Sequence, residues 1–306
     1  MLARDLLSTP TVIMTGNART MVAPQSSPNV RAEVVAHELP AMDLPPKREQ
    51  PGCHLRPGWS ELWRAPLPRL GRWQQRLIMR GVVGLFGKDI VGAHGLENLH
   101  YAGDPFILAI SHSTRWEAIL LPCWFTYLRQ GDLIRFIADW NFALIPGIAT
   151  ILRQGETILL VRKPAKPAFL NVFRPRFERA GPAFERAEAL LRSGKSIGIF
   201  PEGTTNRHPT ELLRGFDGAA RLSLQTGAPV VPVGVRFPGQ PKDRPIRDRS
   251  PMEVHVGEPL HPPGVEAEPA RESVRSMHGR VMTEIARLSG KRWEAGSTRR
   301  KHHGFD

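Results

Sequence analysis

A histidine and a glutamate five residues apart form the pair in this sequence best suited to acid–base chemistry. His112 follows an apolar run that predicts a buried strand, and Glu117 stands where the next helix is predicted to begin. A carboxylate at this spacing can accept a hydrogen bond from one imidazole nitrogen, which leaves the other free to remove a proton from a hydroxyl. Taken alone, the pattern also fits a histidine that caps a helix beside a solvated glutamate.

Three later segments carry features typical of a substrate-binding cleft. The strand predicted before Arg162 ends in cations, and this guanidinium could bind a phosphate through two parallel hydrogen bonds or form a surface ion pair. Residues 199–205 predict a strand that breaks into a turn and exposes the carboxylate of Glu202. In residues 228–235, Pro232 cannot donate a ladder hydrogen bond, which predicts an edge strand or a bulge beside a cleft.

The segments that carry these groups alternate between strand and helix patterns. This order predicts an α/β domain with a mixed, largely parallel sheet flanked by helices. Strands are predicted over residues 105–110, 133–138, 157–161, 196–200, 229–237 and 252–256, and helices over residues 117–128, 183–192, 218–226 and 271–288.

An amphipathic helix is predicted ahead of this domain, over about residues 69–87. Apolar side chains cover one broad side of the helix and arginines gather on the other, which is typical of a helix that lies in a membrane interface. The pattern fits equally well a surface helix that packs on the core with its arginines solvated. The apolar set is Leu70, Trp73, Leu77, Ile78, Val82, Leu85 and Phe86, and the basic set is Arg69, Arg72, Arg76 and Arg80.

The outer parts of the chain differ in composition from its centre. Residues 1–60 mix prolines with small and polar residues and predict a flexible arm with a short helical piece at Val30–His37. Residues 61–290 make up the predicted main domain, with its motif-bearing core at about residues 90–260. Residues 291–306 predict a solvated basic tail.

The formal net charge of +13 favours an anionic partner, either lipid head groups, a phosphorylated substrate or nucleic acid. No nucleic-acid-binding motif accompanies the charge, so nucleic acid is not expected as a partner. Cys53 and Cys123 are far apart and lack zinc-ligand spacing, which predicts no disulfide framework, no metal site and a reducing compartment. The N-terminus does not resemble a signal peptide, and no run approaches the ~20 apolar residues of a membrane span.

Taken together and in order, the four segments resemble the glycerolipid acyltransferase family, whose type members are the 1-acyl-glycerol-3-phosphate acyltransferases. The family pattern is His-x4-Asp, G-x-I-F-I-x-R, F-P-E-G-T-R-S and V-P-I-V-P-V. The corresponding residues here are Ser-His112-x4-Glu117, Gly155 to Arg162, Phe200-Pro-Glu-Gly-Thr204 and Pro229-Val-Val-Pro232-Val, and the agreement covers about residues 90–260.

The resemblance implies a reaction of phospholipid biosynthesis. A fatty acyl group would move from acyl-CoA or acyl-ACP, as co-substrate rather than bound cofactor, to the hydroxyl of a lysophospholipid or related lipid. It implies His112 as the general base and Glu117 as the carboxylate that orients it. It further implies a peripheral protein on the cytoplasmic face of an anionic membrane, with acyl carrier protein as a partner. The implied acceptor-binding residues are Arg162, Glu202, Gly203, Thr204 and Arg207.

This sequence departs from the family pattern at three places. Glu117 replaces the usual aspartate and is one methylene longer. Thr205 stands where an arginine is expected, with Arg207 two positions later, and the F-x-x-G-A block is shortened to Phe216–Ala219. Because two cations expected around a phosphate are missing or displaced, the acceptor stays open between lysophosphatidic acid, another lysolipid and an amphiphilic alcohol.

Three other functional classes remain open at the level of sequence. The altered motifs fit a catalytically inactive lipid-binding relative. Ser196 lies in a G-x-S-x-G pattern, but a hydrolase would need strand, turn and helix in that order, whereas helix, turn and strand are predicted. A nucleic-acid binder is suggested by the charge alone.

Overall fold

A seven-stranded sheet forms the centre of the part of the chain that the computed structural model describes, residues 58–165 and 167–296. Its strands are β1 (Ile90–His94), β2 (Ile107–Ile110), β3 (Arg135–Asp139), β4 (Ile158–Leu160), β5 (Ile197–Ile199), β6 (Val230–Arg236) and β7 (Met252–Val256). The helices are α1 (Trp59–Arg64), α2 (Trp73–Phe86), α3 (Asn98–Tyr101), α4 (Glu117–Leu128), α5 (Ile148–Gln154), α6 (Arg174–Glu178), α7 (Ala183–Arg192), α8 (Gly218–Thr226) and α9 (Arg271–Ser289).

The strand order is β1-β7-β6-β2-β5-β3-β4. Neighbouring strands run parallel except for the antiparallel pair β6 and β7. The prediction of a mixed, largely parallel sheet flanked by helices is therefore confirmed. The strand β2 lies in the middle of the sheet, so the segment that follows it opens at the centre of the carboxyl edge.

Each face of the sheet has its own hydrophobic core. Successive side chains of a strand point to opposite faces, and β2 accordingly sends Leu108 and Ile110 into one cluster and Ile107 and Ala109 into the other. The first cluster includes apolar residues of α2 and α4, and the second those of α7, α8 and α9. Both faces of β2 are covered, which explains why its sequence is apolar throughout.

The strand that contains Pro232 is internal, but the ladder beside the proline is irregular. Between the pairs Val233–Val256 and Val230–Leu260, the partner segment holds one residue more than β6 does. The carbonyl of Pro232 accepts a hydrogen bond of 2.8 Å from the Gly257 amide, just past the end of β7. The predicted alternative of an edge strand is wrong, whereas a bulge-like interruption agrees with the structure.

The helix α2 begins at Trp73, four residues later than predicted, and its apolar residues do not share one side. Met79 and Val82 pack into the core, whereas Trp73, Leu77 and Leu85 are exposed. The exposed three recur at multiples of four residues and so lie along one stripe of the helix, opposite the buried face. The expected single apolar side is therefore corrected to a buried face and an exposed apolar stripe.

Several predictions fall outside the described residues. They are the flexible arm except for its last three positions, the helical piece at Val30–His37, Cys53, and residues 297–306 of the basic tail. None of the helices that the structure describes combines the length and the hydropathy of a membrane-spanning segment.

Candidate active site

Three of the predicted site segments meet at the carboxyl edge of the sheet. His112 lies two residues after β2, the Phe200–Thr205 turn follows β5, and Arg162 lies two residues after β4. Because these strands are parallel, their ends open on the same edge, where α/β proteins commonly bind ligands. The sheet thus brings together groups that are far apart in the sequence.

The backbone of His112 is held on both sides by the turn that follows β5. Its amide donates to Oε1 of Glu202 over 3.0 Å, and its carbonyl accepts from the Asn206 amide over 2.7 Å. The imidazole lies against the ring of Phe200, with 4.6 Å between the ring centroids. The position of the histidine is therefore fixed by main-chain contacts as well as by packing.

The two nitrogens of the His112 imidazole face different groups. Nδ1 lies 3.6 Å from Oε2 of Glu117, and Nε2 lies 3.4 Å from the hydroxyl oxygen of Thr205. The carboxylate is fully buried, whereas 13% of the histidine side chain is exposed. Since the separation from Glu117 is slightly longer than an ordinary hydrogen bond, a small tightening would complete the pair. Nε2 is left on the side of the β5 turn.

The Glu117 carboxylate also organises the loop that carries His112. It is the first residue of α4, and its two oxygens accept hydrogen bonds from the amides of Ser113, at 2.7 Å, and Thr114, at 3.1 Å. The longer side chain therefore folds back over its own loop while Oε2 still faces the imidazole. The backbone thus accommodates a glutamate at the position where the resemblance led us to expect an aspartate.

The exposure expected for the Glu202 carboxylate is wrong. Glu202 is only 3% exposed, and its oxygens accept from the His112 amide, the Leu213 amide and the side-chain amide of Asn206. These contacts tie the end of β5 to the end of β2. A direct contact with the acceptor stays a prediction, but the structure assigns Glu202 to holding the loops.

The glycine of the β5 turn permits a close approach by an aromatic ring. Gly203 has φ of +66°, and a Cβ atom there would lie 2.5 Å from the ring of Phe216. The exposed guanidinium of Arg162 lies over the same ring, 5.4 Å from its centroid. Phe216 thus brings Arg162 beside the turn that holds Gly203 and Thr204. That these residues bind the acceptor stays a prediction.

Arg207 makes its polar contacts within the protein. Its guanidinium donates to Asp248 over 2.7 Å and to the carbonyl of Ile246 over 3.0 Å. Asp248 also accepts from the amide of Arg115, which lies in the loop after His112. Arg207 therefore anchors the loop between β6 and β7 to the site, and its contact with the acceptor stays a prediction.

A lysine that was predicted to lie in the solvated tail is buried beside the loop that carries His112. Lys291 is only 6% exposed, and its ammonium donates to the hydroxyl of Ser113 over 2.7 Å. Burial lowers the pKa of Lys291, and the nearby carboxylates of Glu202 and Glu117 oppose that shift. No local pattern indicated this role, because the lysine follows α9 and no periodic pattern extends past the helix.

Ser196 does not lie in the cleft. It precedes β5, at the opposite edge of the sheet from His112, and is 2% exposed. Its hydroxyl donates to Asp104 over 2.5 Å and accepts from the Phe106 amide over 3.1 Å. This placement contradicts a hydrolase that would use Ser196 as its nucleophile.

Comparison with known proteins relates the segment that contains most of these residues to a known protein family. Residues 90–236 match the sequence profile of the family described as Acyltransferase. The segment is thus similar to this family of acyltransferases. The 1-acyl-sn-glycerol-3-phosphate acyltransferase of Bacillus subtilis (strain 168) is 30% identical over 102 residues, which are 33% of this chain and 49% of that protein. The enzyme of the same name from Borreliella burgdorferi is 39% identical over 66 residues, 21% of this chain and 25% of that protein.

The alignments thus span half or less of the length of these curated relatives. Among solved structures, the 1-acyl-sn-glycerophosphate (LPA) acyltransferase, PlsC, from Thermotoga maritima has a TM-score of 0.46 and 21% identity. That comparison covers 72% of this chain and 80% of that chain.

The acyltransferase segment contains most, but not all, of the residues around His112. Glu117, Arg162 and the turn from Phe200 to Thr205 lie within residues 90–236. Lys291 lies outside it, although its side chain reaches the loop that carries the histidine. The buried cation of this site is therefore supplied from a part of the chain that the family profile does not cover.

Proposed function

We propose that this chain transfers a fatty acyl group from acyl-CoA or acyl-ACP to the hydroxyl of a lysophospholipid or related lipid. One observation carries the proposal: the His112 imidazole has one nitrogen facing the buried Glu117 carboxylate and the other facing the Thr205 hydroxyl. The family of residues 90–236 and the names of the curated relatives support the class of reaction.

In the proposed reaction, Nε2 of His112 removes the proton from the acceptor hydroxyl as its oxygen attacks the thioester carbonyl. The new C–O bond forms, the C–S bond breaks, and the proton leaves with the thiol. Glu117 holds the imidazole in one tautomer and stabilises its positive form, as a carboxylate does in a hydrolase triad. The attacking alcohol is itself the nucleophile, so no acyl-enzyme is needed. General-base assistance contributes roughly 10²–10⁴-fold to such a step.

The Thr205 hydroxyl indicates where the acceptor hydroxyl would lie. It already stands 3.4 Å from Nε2 of His112, at the mouth of the β5 turn. Arg162 lies over the ring of Phe216 and is exposed, so it is placed to meet an anionic head group bound beside the turn. This arrangement provides one cation for the head group, in keeping with an acceptor that is recognised with fewer cations than the family pattern implies.

The apolar surface of α1 and α2 supports a place for the protein on a membrane. Trp59 and Trp63 of α1 are about half exposed, and Trp73 of α2 is 69% exposed. Tryptophan together with arginine on one surface is typical of a helix that lies in the lipid interface. With this surface of α1 and α2 in the membrane, a lipid acceptor would enter the site from the bilayer.

The test is release of free thiol from a long-chain acyl-CoA, and separately from acyl-ACP, in the presence of a panel of lysolipids in vesicles. The wild-type chain should release thiol and form an ester product with at least one lysolipid. His112→Ala should reduce this rate by roughly 10²–10⁴-fold, with an unchanged unfolding midpoint. His261→Ala replaces an exposed histidine outside the site and should leave the rate unchanged.

Two results would contradict the proposal. Full activity in His112→Ala would exclude the histidine as the base. Absence of thiol release with every acceptor, in a chain that still binds vesicles, would favour the catalytically inactive lipid-binding relative.

A further inference from the structure

Four positions on the edge strand β1 and its neighbour β7 form a small square on one face of the sheet. Gly92 pairs with Glu253, and His94 pairs with His255. Residues two apart on a strand share a face. The side chains of His94, Glu253 and His255 therefore lie together on that face, next to Gly92, which has no side chain. The square lies away from His112 and takes no part in the proposed acyl transfer.

The donor atoms of the three side chains converge. One nitrogen from each imidazole and a carboxylate oxygen of Glu253 all lie within 4.8 Å of one another. Nε2 of His255 is 3.4 Å from Oε2 of Glu253, and the two imidazoles are stacked with 4.6 Å between their centroids. No sequence motif pointed to this set, because its members lie on strands far apart in the chain.

The missing side chain of Gly92 leaves the space into which these donors point. A Cβ atom at Gly92 would lie 3.2 Å from Cγ of Glu253 and 3.6 Å from Nε2 of His94. The two histidines also line an open groove of about 470 Å³ between the strands and α9. An ion from solvent can therefore reach the two imidazoles through this groove, with the Glu253 carboxylate beside them.

We propose that His94, Glu253 and His255 bind one Zn²⁺ ion, with water completing the coordination. A set of two imidazoles and one carboxylate favours zinc over magnesium or calcium. Zinc–ligand bonds of about 2.0–2.2 Å place tetrahedral donors about 3.4 Å apart. The pair His255–Glu253 already has this separation, and a change in the side-chain rotation of His94 would bring its nitrogen, now within 4.8 Å of the other donors, to the same ion.

The ion would join an edge strand to the rest of the sheet. Within the described residues, β1 pairs only with β7 and forms one end of the strand order. Since His94 belongs to β1 and the other two ligands to β7, bound zinc would link the two strands through side chains. A ligand that binds only the folded chain raises its stability according to concentration and affinity.

The test uses the full chain after treatment with a chelator, in a background that carries His302→Ala and His303→Ala so that the tail histidines cannot bind metal. Equilibrium dialysis against Zn²⁺ should give one equivalent per chain, and zinc should raise the unfolding temperature. Co²⁺ should give the visible absorption of a four-coordinate site, which zinc then removes. His94→Ala, His255→Ala and Glu253→Gln should each weaken zinc binding at least about tenfold.

His261→Ala, which removes an exposed histidine outside the square, should bind zinc as the background protein does. The proposal is overturned if the background protein binds no zinc, or if the three site variants retain its stoichiometry and affinity. Neither readout depends on acyl transfer, so a failure here and a failure of the proposed function are distinguishable.

Discussion

The Glu117 carboxylate combines two tasks, since it binds the Ser113 and Thr114 amides and faces Nδ1 of His112. Glu117→Gln keeps the shape but removes the charge that stabilises an imidazolium. We expect it to lower kcat by roughly 10²–10⁴-fold, as measured by thiol release at saturating acceptor. Glu117→Asp keeps the charge and restores the family's usual residue, so it should retain activity well above that of His112→Ala.

The aspartate variant decides between two explanations of the longer side chain. Activity in Glu117→Asp would mean that the loop accepts either carboxylate. A loss as complete as that of His112→Ala would contradict our expectation and would show that the site is built for glutamate. Far-UV circular dichroism of both variants separates a chemical effect from a loss of folding.

Lys291 places a cation beside the loop that carries His112. Its ammonium donates to Ser113 and lies near the buried carboxylates of Glu117 and Glu202. Lys291→Met leaves those carboxylates without this charge and the Ser113 hydroxyl without its donor. We expect a loss of about 1.5–3 kcal/mol in the free energy of unfolding, the usual worth of a hydrogen bond to a charged group. Urea denaturation measures it, and kcat should fall as the His112 loop loosens.

The adjacent residue provides the matched control for this variant. Arg292 is 79% exposed and pairs with Glu211 at the surface. Arg292→Met should change the free energy of unfolding by no more than about 1 kcal/mol, because exposed ion pairs contribute little. Equal effects of the two substitutions would show that Lys291 has no special place in the site.

At the level of elements, strong local patterns predicted the structure well. The bounds of α4, α7, α8 and β7 agree with the sequence prediction. In α7, for example, the stop signal Ser193-Gly194 follows the last helical residue directly. The strand β1 was missed since it lies at the edge of the sheet, where its side chains are mostly not buried and no alternation appears. Tertiary contacts, rather than local pattern, define such a strand.

The exposed apolar stripe of α2 leads to a prediction about membrane binding. Trp73→Ser with Leu77→Ser removes two large apolar side chains that are 69% and 45% exposed. Burial of such side chains is worth about 1.5–3 kcal/mol each, so partition into lipid vesicles should fall at least about tenfold. Sedimentation with vesicles of phosphatidylcholine and an anionic lipid measures the change.

A distant exposed residue serves as the control for the stripe. Val265 is 65% exposed and lies in the loop before α9. Val265→Ser should leave both vesicle binding and the free energy of unfolding unchanged. If the double variant binds vesicles as well as the wild type does, the stripe is not the surface that meets the lipid.

For the whole molecule, the sequence predicted the pair at the centre of the site more completely than the residues that support it. His112 and Glu117 lie in one short segment beside a predicted strand end, and they were recognisable because three further segments follow in the order of the pattern that the sequence resembles. Lys291 and the loop contacts of Glu202 were not, because they depend on how segments from different parts of the chain meet. When interacting residues are far apart in the chain, they form no fixed spacing of residues that a single sequence can reveal.

The net charge of +13 acts at the scale of the whole chain and should make membrane binding depend on salt. Attraction of about 1 kcal/mol per basic residue near an anionic surface is screened as the Debye length falls from about 10 Å at 0.1 M to about 3 Å at 1 M. Binding to anionic vesicles should therefore weaken strongly over this range, whereas binding to neutral vesicles should be weak and nearly constant. The Trp73→Ser, Leu77→Ser variant should keep the salt dependence while losing affinity, since it retains every charge. Salt-independent binding, or preference for DNA over anionic vesicles in direct competition, would contradict a lipid surface as the partner of this charge.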